Sequence, residues 1–473
     1  MKENPFRKNR EEITELLIIY ENLKNGRSHS FIEEDSFIKI IEHFEDKEQL
    51  SKAIEAADTG VNLYPYSSGL LIKKADLLIS SQLYREALSV LKQAEMLDSS
   101  DINIYILKTD AYLALDQQEK AVRLLEKSLS FFEGQERIDL LFELADVYDD
   151  YEEFEKVFDC LMIVLEEDPN NEEALYKICF WTDFTGRNEE SITLHHKIIN
   201  DFPYNELAWF NLGAAYQGLK LYEKAIDAYQ YAITIDEKFD YAYRNMGDAY
   251  IRIRKYKDAI EVLERVLELS KPEEVIFEAI GHCYDKLKNY AQARFYYRKA
   301  SHLNPVDSKL LFKIACTYFN EKQWTSATRQ LDMALRIQRM NPAYNLLLGE
   351  CKMQNGLFKD AIQHFSDVVR VRPRNSYGWE ALIRCLYTTE FWDEALEQVD
   401  AALKITNDKP LFLFYKSAIL FGAGKSKEAI LQLEKAMNKA PKMLKKFIEL
   451  TPSILQNQQV VEVLARFKRN RSI

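Results

Sequence analysis

Residues 206–239 read ELAWFNLGAAYQGLKLYEKAIDAYQYAITIDEKF, and this stretch of 34 residues decides the fold. Apolar residues recur three and four positions apart in both of its halves, which predicts two amphipathic helices joined by a short turn. The pattern then repeats every 34 residues without a slip, as seven alanines show: Ala225, Ala259, Ala293, Ala327, Ala361, Ala395 and Ala429. Such a period is typical of stacked helical hairpins that bury their apolar faces against one another.

The repeat extends towards the N-terminus through Ala121, Ala87 and Ala53, with a slip of two residues between Ala121 and Ala225. This register predicts twelve units, which start near Glu34, Ser68, Ile102, Ile138, Glu172, Glu206, Asp240, Glu274, Ser308, Pro342, Ser376 and Pro410. Positions are counted from these starts. Position 8 is small in most units, as expected where two helices cross closely, and proline is common at position 32, where it ends the second helix.

The unit pattern resembles the tetratricopeptide repeat, which carries an aromatic residue, Leu-Gly, Tyr, Ala, an aromatic residue and Ala at fixed positions. The matching residues are Trp209, Leu212, Gly213, Tyr216, Ala225, Tyr229 and Ala232. The resemblance covers roughly residues 34–443 and implies an all-α, right-handed superhelical solenoid of about twelve helical hairpins with helical caps. It also implies a non-enzymatic protein that holds peptide or helical segments in an inner groove.

The predicted organisation has four parts. Residues 1–33 form an N-terminal capping helix, residues 34–203 form acidic units one to five, residues 204–443 form regular units six to twelve, and residues 444–473 form a C-terminal capping helix and a basic tail. The N-terminal cap spans Arg10–Lys24 and stops at Gly26, and the C-terminal cap pairs Met443–Leu450 with Ser453–Arg469. The predicted inward-facing residues of the two caps are Ile13, Leu16, Leu17, Tyr20, Leu23, Ile454, Leu455, Val461, Leu464 and Phe467.

The slip between Ala121 and Ala225 is predicted to lie at residues 131–135. It leaves residues 131–200 open to two interpretations, a local hinge or a harmless loop insertion. The apolar stripes of the two caps are likewise open to a second interpretation, because a partner helix could dock on them.

Charge is distributed unevenly along the chain. The net charge is −12, but residues 1–250 hold 26 Lys and Arg against 50 Asp and Glu, a net of −24. Residues 251–473 hold 37 Lys and Arg against 25 Asp and Glu, a net of +12. Such an asymmetry concerns binding partners rather than the fold.

The resemblance also implies which residues line the inner groove, because this family uses mainly positions 2, 5, 9, 12 and 13. These positions predict an acidic stripe in the first half of the chain that attracts Lys- and Arg-rich segments, unless it is only a solvated face. The predicted stripe contains Glu42, Asp76, Asp110, Asp139, Asp146, Asp149 and Asp150.

In the second half, the same positions predict aromatic and methionine pockets for apolar anchors, with packing between units as the alternative. Some members of the family bind a peptide backbone or a terminal carboxylate through Asn and basic residues. Because Asn stands at position 6 in these members, position 6 joins the predicted groove positions. The predicted groove residues are Asn211, Arg244, Asn245, Phe312, Phe319, Met353, Tyr377 and Tyr387.

No catalytic residue, metal site or cofactor is predicted. The chain lacks the GxxxxGK[ST], HExxH and GxSxG motifs. Its six cysteines form no CxxC pair, so we expect reduced thiols. Cys283, Cys351 and Cys385 recur at position 10, which suits small buried thiols packed in first helices. The N-terminus lacks a secretory h-region, and no apolar run approaches the length of a membrane span. We therefore expect a cytoplasmic protein that is not an enzyme.

Three functions are compatible with these patterns. The first is a scaffold or adaptor whose acidic half binds basic protein segments. The second is a helical-repeat protein that binds RNA through its basic C-terminal half, although an acidic groove does not favour nucleic acid. The third is a structural element that forms homo-oligomers when the basic tail of one copy meets the acidic half of another.

Overall fold

The protein consists of paired α-helices. The structure, a computed structural model, describes residues 5–25 and 31–469, and these ranges contain 27 α-helices, two 3-10 helices and no strand. The all-α prediction is therefore confirmed for the described residues. By its internal contacts the chain divides into two compact units, residues 1–237 and 238–473.

The first unit contains thirteen helices. They are α1 (Pro5–Lys24), α2 (Glu34–Asp46), α3 (Leu50–Leu63), α4 (Ser68–Ser80), α5 (Tyr84–Leu97), α6 (Ile102–Ala114), α7 (Gln118–Ser128), α8 (Gly134–Asp150), α9 (Phe154–Glu167), α10 (Glu172–Thr185), α11 (Asn188–Asp201), α12 (Glu206–Gly218) and α13 (Tyr222–Ile235).

The second unit continues the same alternation. Its helices are α14 (Asp240–Arg252), α15 (Tyr256–Leu269), α16 (Glu274–Lys286), α17 (Tyr290–Leu303), α18 (Ser308–Asn320), α19 (Trp324–Ile337), α20 (Pro342–Gln354), α21 (Phe358–Val371), α22 (Ser376–Thr388), α23 (Trp392–Ile405), α24 (Pro410–Gly422), α25 (Ser426–Lys439), α26 (Leu444–Leu450) and α27 (Gln458–Arg469). The 3-10 helices are Pro441–Met443 and Pro452–Gln456.

Helices α2 to α25 form the twelve predicted hairpins, and eleven of the predicted starts are the first residue of a helix. The exception is Ile138, which lies one turn inside α8 because that helix begins at Gly134. Helix α7 ends early at Ser128, and the inserted residues form a short loop and the extra turn of α8. Phe132 in this loop is buried against Tyr105, with the ring centroids 5.3 Å apart. The predicted hinge stays a prediction.

The turn inside each hairpin has one backbone geometry. The residue at position 15 has a positive φ in all twelve hairpins, and only three of the twelve are glycine. In eleven of the twelve hairpins the backbone N–H of the next residue donates to a carbonyl of the first helix, as Leu221 does to Tyr216 at 2.9 Å. This bond satisfies a carbonyl that the end of the helix would otherwise leave unpaired.

The two helices of a hairpin meet at positions 8 and 24, where the sizes of the side chains are matched. A Cβ added to Gly349 would lie 2.5 Å from the ring of Phe365, and one added to Gly281 would lie 2.7 Å from the ring of Tyr297. The predicted close crossing is thus confirmed at these glycines. Where position 8 is alanine, position 24 is leucine: Ala75 with Leu91, Ala145 with Leu161, and Ala315 with Leu331.

The N-terminal cap packs as predicted. Tyr20 of α1 is buried against Phe37 and Phe44 of α2, and Leu16, Leu17 and Leu23 are partly buried in the same cluster. Lys24 forms an ion pair with Glu55 of α3 at 2.6 Å. The predicted stop at Gly26 lies outside the described residues.

The C-terminal cap differs from the prediction in its register. Ser453–Arg469 is not one helix, because the 3-10 helix Pro452–Gln456 ends before α27 begins. Asn457 separates them and accepts hydrogen bonds from the backbone N–H groups of Gln459 and Val460. This break rotates α27, so Val460 and Val463 are buried. The prediction that Leu455 and Val461 face inward is therefore wrong, since both are exposed.

We expect Gly349→Ala to destabilise the second unit by about 1–3 kcal/mol, because the added methyl group would overlap the buried ring of Phe365. The double variant Gly349→Ala/Phe365→Leu recreates the Ala315–Leu331 pairing. Its loss of stability should therefore be smaller than the sum of the losses of the two single variants. Thermal and urea denaturation followed by circular dichroism would measure both effects.

Gly69→Ala is the matched control, because a Cβ at that helical position has nothing within 4 Å. This substitution should not lower the free energy of unfolding. Equal losses at Gly69 and Gly349 would contradict the size-matching argument.

Candidate functional site

The first helices of consecutive hairpins lie side by side, in the first unit as α2 with α4, α4 with α6, α6 with α8, and α10 with α12. In several hairpins a polar residue at position 6 links the first helix to the first helix before it. Lys73 binds Glu45 at 2.8 Å, and Lys177 binds Asp146 at 3.6 Å. In the second unit Lys313 pairs with Glu278. A position-6 donor facing an acceptor on the preceding helix is therefore a recurrent contact.

Glu143 occupies position 6 of the fourth hairpin, and it reverses this arrangement. It lies on α8, which packs beside α6, and the negative charge of Asp110 on α6 acts on it, so an acid stands where Lys73 and Lys177 provide a cation. Neither Asp110 nor Glu143 has a hydrogen bond or an ion pair with any residue that the structure describes. We call Asp110 and Glu143 the acid pair.

The environment disfavours the charged form of both carboxyl groups. Burial raises the pKa of Glu143, and the charges of Asp110, Asp146 and Asp139 raise it further. Asp110 is open to solvent on one side, but packed protein on the other side raises its pKa, with a further contribution from Asp76. Lys177 offsets only part of this repulsion at Glu143. An additional cation would reduce the repulsion between the charges of Asp110 and Glu143.

The other predicted members of the acidic stripe are placed differently. Asp76 lies 3.7 Å from Lys73, and the charge of Glu42 acts on the same lysine. Asp139 accepts a hydrogen bond from Gln135 at 2.8 Å. Asp149 and Asp150 are exposed at the C-terminal end of α8. The charges of Asp110, Asp139 and Asp146 therefore act on Glu143, which the sequence analysis missed, and Asp76 acts on Asp110.

Three exposed aromatic residues form a stripe on α10, immediately after the acid pair. Tyr176 is 61% exposed, Phe180 60% and Phe184 56%, and successive members are four residues apart on one helix. They occupy positions 5, 9 and 13 of their hairpin, which the sequence analysis used only in the second half of the chain for apolar residues. We call Tyr176, Phe180 and Phe184 the aromatic stripe.

The predicted apolar pockets of the second unit are mostly occupied by packing. Phe312 stacks on Tyr344 with centroids 4.9 Å apart, and Phe319 contacts Trp324. Met353 is partly buried against the neighbouring core. Tyr387 accepts a hydrogen bond from Thr451 at 2.8 Å. Only Tyr377, at 74% exposed, remains open among the five predicted apolar groove residues.

The predicted polar groove residues also make internal contacts. Asn211 is buried and donates to the backbone carbonyl of Leu175 at 2.8 Å, so its amide joins α12 to α10 and does not face solvent. Arg244 forms two hydrogen bonds with Glu273, of 2.7 and 2.8 Å. Asn245 is half-buried.

Reactive and metal-binding groups are few among the described residues. Burial raises the pKa of Cys283 and Cys351 to about 12, which keeps both thiols protonated near neutral pH. The carboxylates of Glu274, Glu278 and Asp307 lie within 4.8 Å of one another, but Lys313 already pairs with Glu278. Across residues 5–25 and 31–469, none of the helices is long and apolar enough to cross a membrane.

Twelve hairpins with matched crossings define a helical-repeat protein. Residues 211–354 match the family model of the tetratricopeptide repeat protein 21 C-terminal ARM domain, and residues 346–410 match a tetratricopeptide repeat model. Residues 211–410 therefore consist of tetratricopeptide-type repeats, and proteins with such repeats commonly serve as scaffolds for protein interactions.

Several solved structures are similar to this chain. YrrB, a tetratricopeptide repeat protein with an unusual peptide-binding site, is 19% identical over 40% of this chain and 96% of its own, with a TM-score of 0.36. One chain of the Cut9–Hcn1 hetero-tetramer of APC/C is 12% identical in sequence, over 82% of this chain and 97% of its own, with a TM-score of 0.35. A C-terminal part of a repeat protein from Cytophaga hutchinsonii is 16% identical over 54% and 99% (TM-score 0.44).

We expect Asp110→Asn and Glu143→Gln each to stabilise the first unit at neutral pH, by about 0.5 kcal/mol. A carboxyl group whose pKa is raised in the folded state holds its proton longer there than in the unfolded chain. Stability therefore falls as the pH rises through the unfolded and then the folded pKa, and the full penalty persists at pH 7. Denaturation midpoints at neutral and acidic pH would show the gain at pH 7 and its disappearance in acid.

Asp146→Asn is the control within the same cluster. Its carboxylate pairs with Lys177, so removal of its charge should bring no comparable gain. Destabilisation by Asp110→Asn or Glu143→Gln would mean that the protein itself satisfies these carboxylates.

Proposed function

We propose that the protein is a non-enzymatic scaffold that binds a basic segment of a partner protein along the first helices of its first unit. The observation that carries the proposal is the acid pair, in which Glu143 occupies the position where Lys73 and Lys177 reach a carboxylate on the preceding first helix. An arginine or lysine of the partner would occupy the place that Lys177 occupies one hairpin later.

Arginine suits this place particularly well. Its planar guanidinium group offers five N–H donors and can bridge two carboxylates, whereas lysine offers a compact charge. A bound cation would also remove the repulsion between Asp110 and Glu143, so part of the binding free energy would come from relief of an existing strain. Binding should therefore be stronger than the exposed location of Asp110 alone suggests.

The charge of the whole first unit supports the same partner. Residues 1–237 hold 24 Lys and Arg against 48 Asp and Glu, which steers basic segments towards this unit. RNA is less favoured, because phosphates would be repelled here. In the second unit, Arg244, Lys313 and Arg384 are already paired with Glu273, Glu278 and Glu350.

Replacing the acid pair should weaken binding of a basic peptide. We expect the double variant Asp110→Asn/Glu143→Gln to bind a fluorescein-labelled peptide of Arg, Lys and Gly about tenfold more weakly. The dependence of affinity on salt should also become flatter, since two charges have been removed from the contact. Fluorescence anisotropy at low and high ionic strength measures both quantities.

A matched control removes two charges elsewhere in the same unit. Glu86 on α5 and Glu166 on α9 are exposed residues of second helices, so Glu86→Gln/Glu166→Gln changes the net charge equally. This control should retain most of the affinity. If both double variants lose affinity equally, the peptide follows the overall charge and the acid pair is not its site.

A further inference from the structure

The aromatic stripe is exposed, yet the rings of Phe180 and Phe184 are held in place from beneath. Trp181 is buried and stacks on Phe154 of α9, with centroids 5.4 Å apart. Phe180 and Phe184 each contact Trp181, at 4.9 and 5.7 Å, and they stack on each other at 5.9 Å. A ligand that binds these rings therefore meets a surface that is already ordered, which lowers the entropic cost of binding.

The stripe continues into a cleft. Phe184 and Phe154 line a recess of about 330 Å³ at the ends of α9 and α10, together with Glu152, Glu153 and Glu155. Its walls are aromatic, and its margin carries three glutamates and one lysine, Lys156, which is paired with Glu153. Such a recess can accept an apolar side chain from a segment that also carries positive charge.

The acid pair and the aromatic stripe lie on neighbouring helices. Lys177, which follows Tyr176 in sequence, reaches back to Asp146 on α8 and lies over the ring of Phe142, 4.9 Å from its centroid. Glu143 is the next residue on that same helix. Side chains of the two helices meet here, and neighbouring helices lie on the order of 10 Å apart, so a ligand crosses from Glu143 to α10 over about 10 Å. An extended chain covers that distance in about three residues, and a chain that follows a less direct path needs up to about five.

We infer that the first unit recognises a protein segment by two anchors, a basic residue at the acid pair and an aromatic or branched aliphatic residue on the aromatic stripe, three to five positions apart. This inference rests on the proposed function, to which it adds the second anchor and the spacing. Three exposed rings on one helix face are costly in water, and an apolar side chain of the partner would cover them. The adjacent carboxylates favour a segment that is both apolar and basic.

The test is selection from a random twelve-residue peptide library, displayed on phage, against the full-length protein. Wild-type protein should enrich peptides with a basic residue and an aromatic or branched aliphatic residue three to five positions apart. Phe180→Ser/Phe184→Ser should abolish the apolar preference but keep the basic one. Asp110→Asn/Glu143→Gln should abolish the preference for a basic residue but keep the preference for an apolar residue. A synthetic peptide with the enriched sequence should bind the stripe variant at least tenfold more weakly than wild type.

Tyr204→Ser is the matched control, because Tyr204 is 84% exposed in the same unit but lies between α11 and α12. It should leave the selection unchanged, and circular dichroism should show wild-type helix content in all variants. Enrichment of basic residues alone, or a second basic residue at the apolar position, would overturn the two-anchor inference and leave the proposed function standing. Loss of the basic preference in wild type would overturn both.

Discussion

The closest contact in each hairpin, between positions 8 and 24, controls the rest of the structure. Gly281 and Gly349 allow the rings of Tyr297 and Phe365 to lie against a bare helix backbone, and Ala315 performs the same role for the smaller Leu331. Because a small residue faces a larger side chain in most hairpins, these hairpins keep a close crossing. Equivalent positions on first helices then recur on one face, and this recurrence brings Asp110, Glu143 and Lys177 into register.

The hairpins could be predicted from sequence because their determinants are local. Helix periodicity, the small residue at position 8 and the turn at position 15 all lie within one unit, so eleven starts were predicted to the residue. The two errors occur where the repeat ends or slips. At Ile138 the insertion lengthened α8, and at Asn457 a helix cap changed the register of α27. Neither an insertion nor a cap follows from a 34-residue period.

The candidate site was predicted only in part, because exposure depends on the neighbouring hairpin. At position 5 of α8, the side chain of Lys177 from the next hairpin covers the ring of Phe142. At position 5 of α10, nothing comparable among the described residues covers Tyr176, because Asn211 of the next hairpin bonds to the backbone of Leu175. Tyr176 therefore remains exposed. In the second unit, Phe312 is covered by Tyr344 from the following hairpin. A single repeat does not contain this information, so the aromatic stripe was missed and several pockets of the second unit were predicted where side chains pack.

The acid pair opposes stability in a fold that can easily avoid it. Lysine at position 6 provides the missing charge in the second, fifth and ninth hairpins, through Lys73, Lys177 and Lys313. Like charges at the same position of the fourth hairpin contribute nothing to folding, which supports the proposal that they attract a cation of a partner. In the proposed two-anchor binding, the spacing of two side chains would select the ligand. A basic segment without the second anchor would satisfy the charge and leave the exposed rings in water.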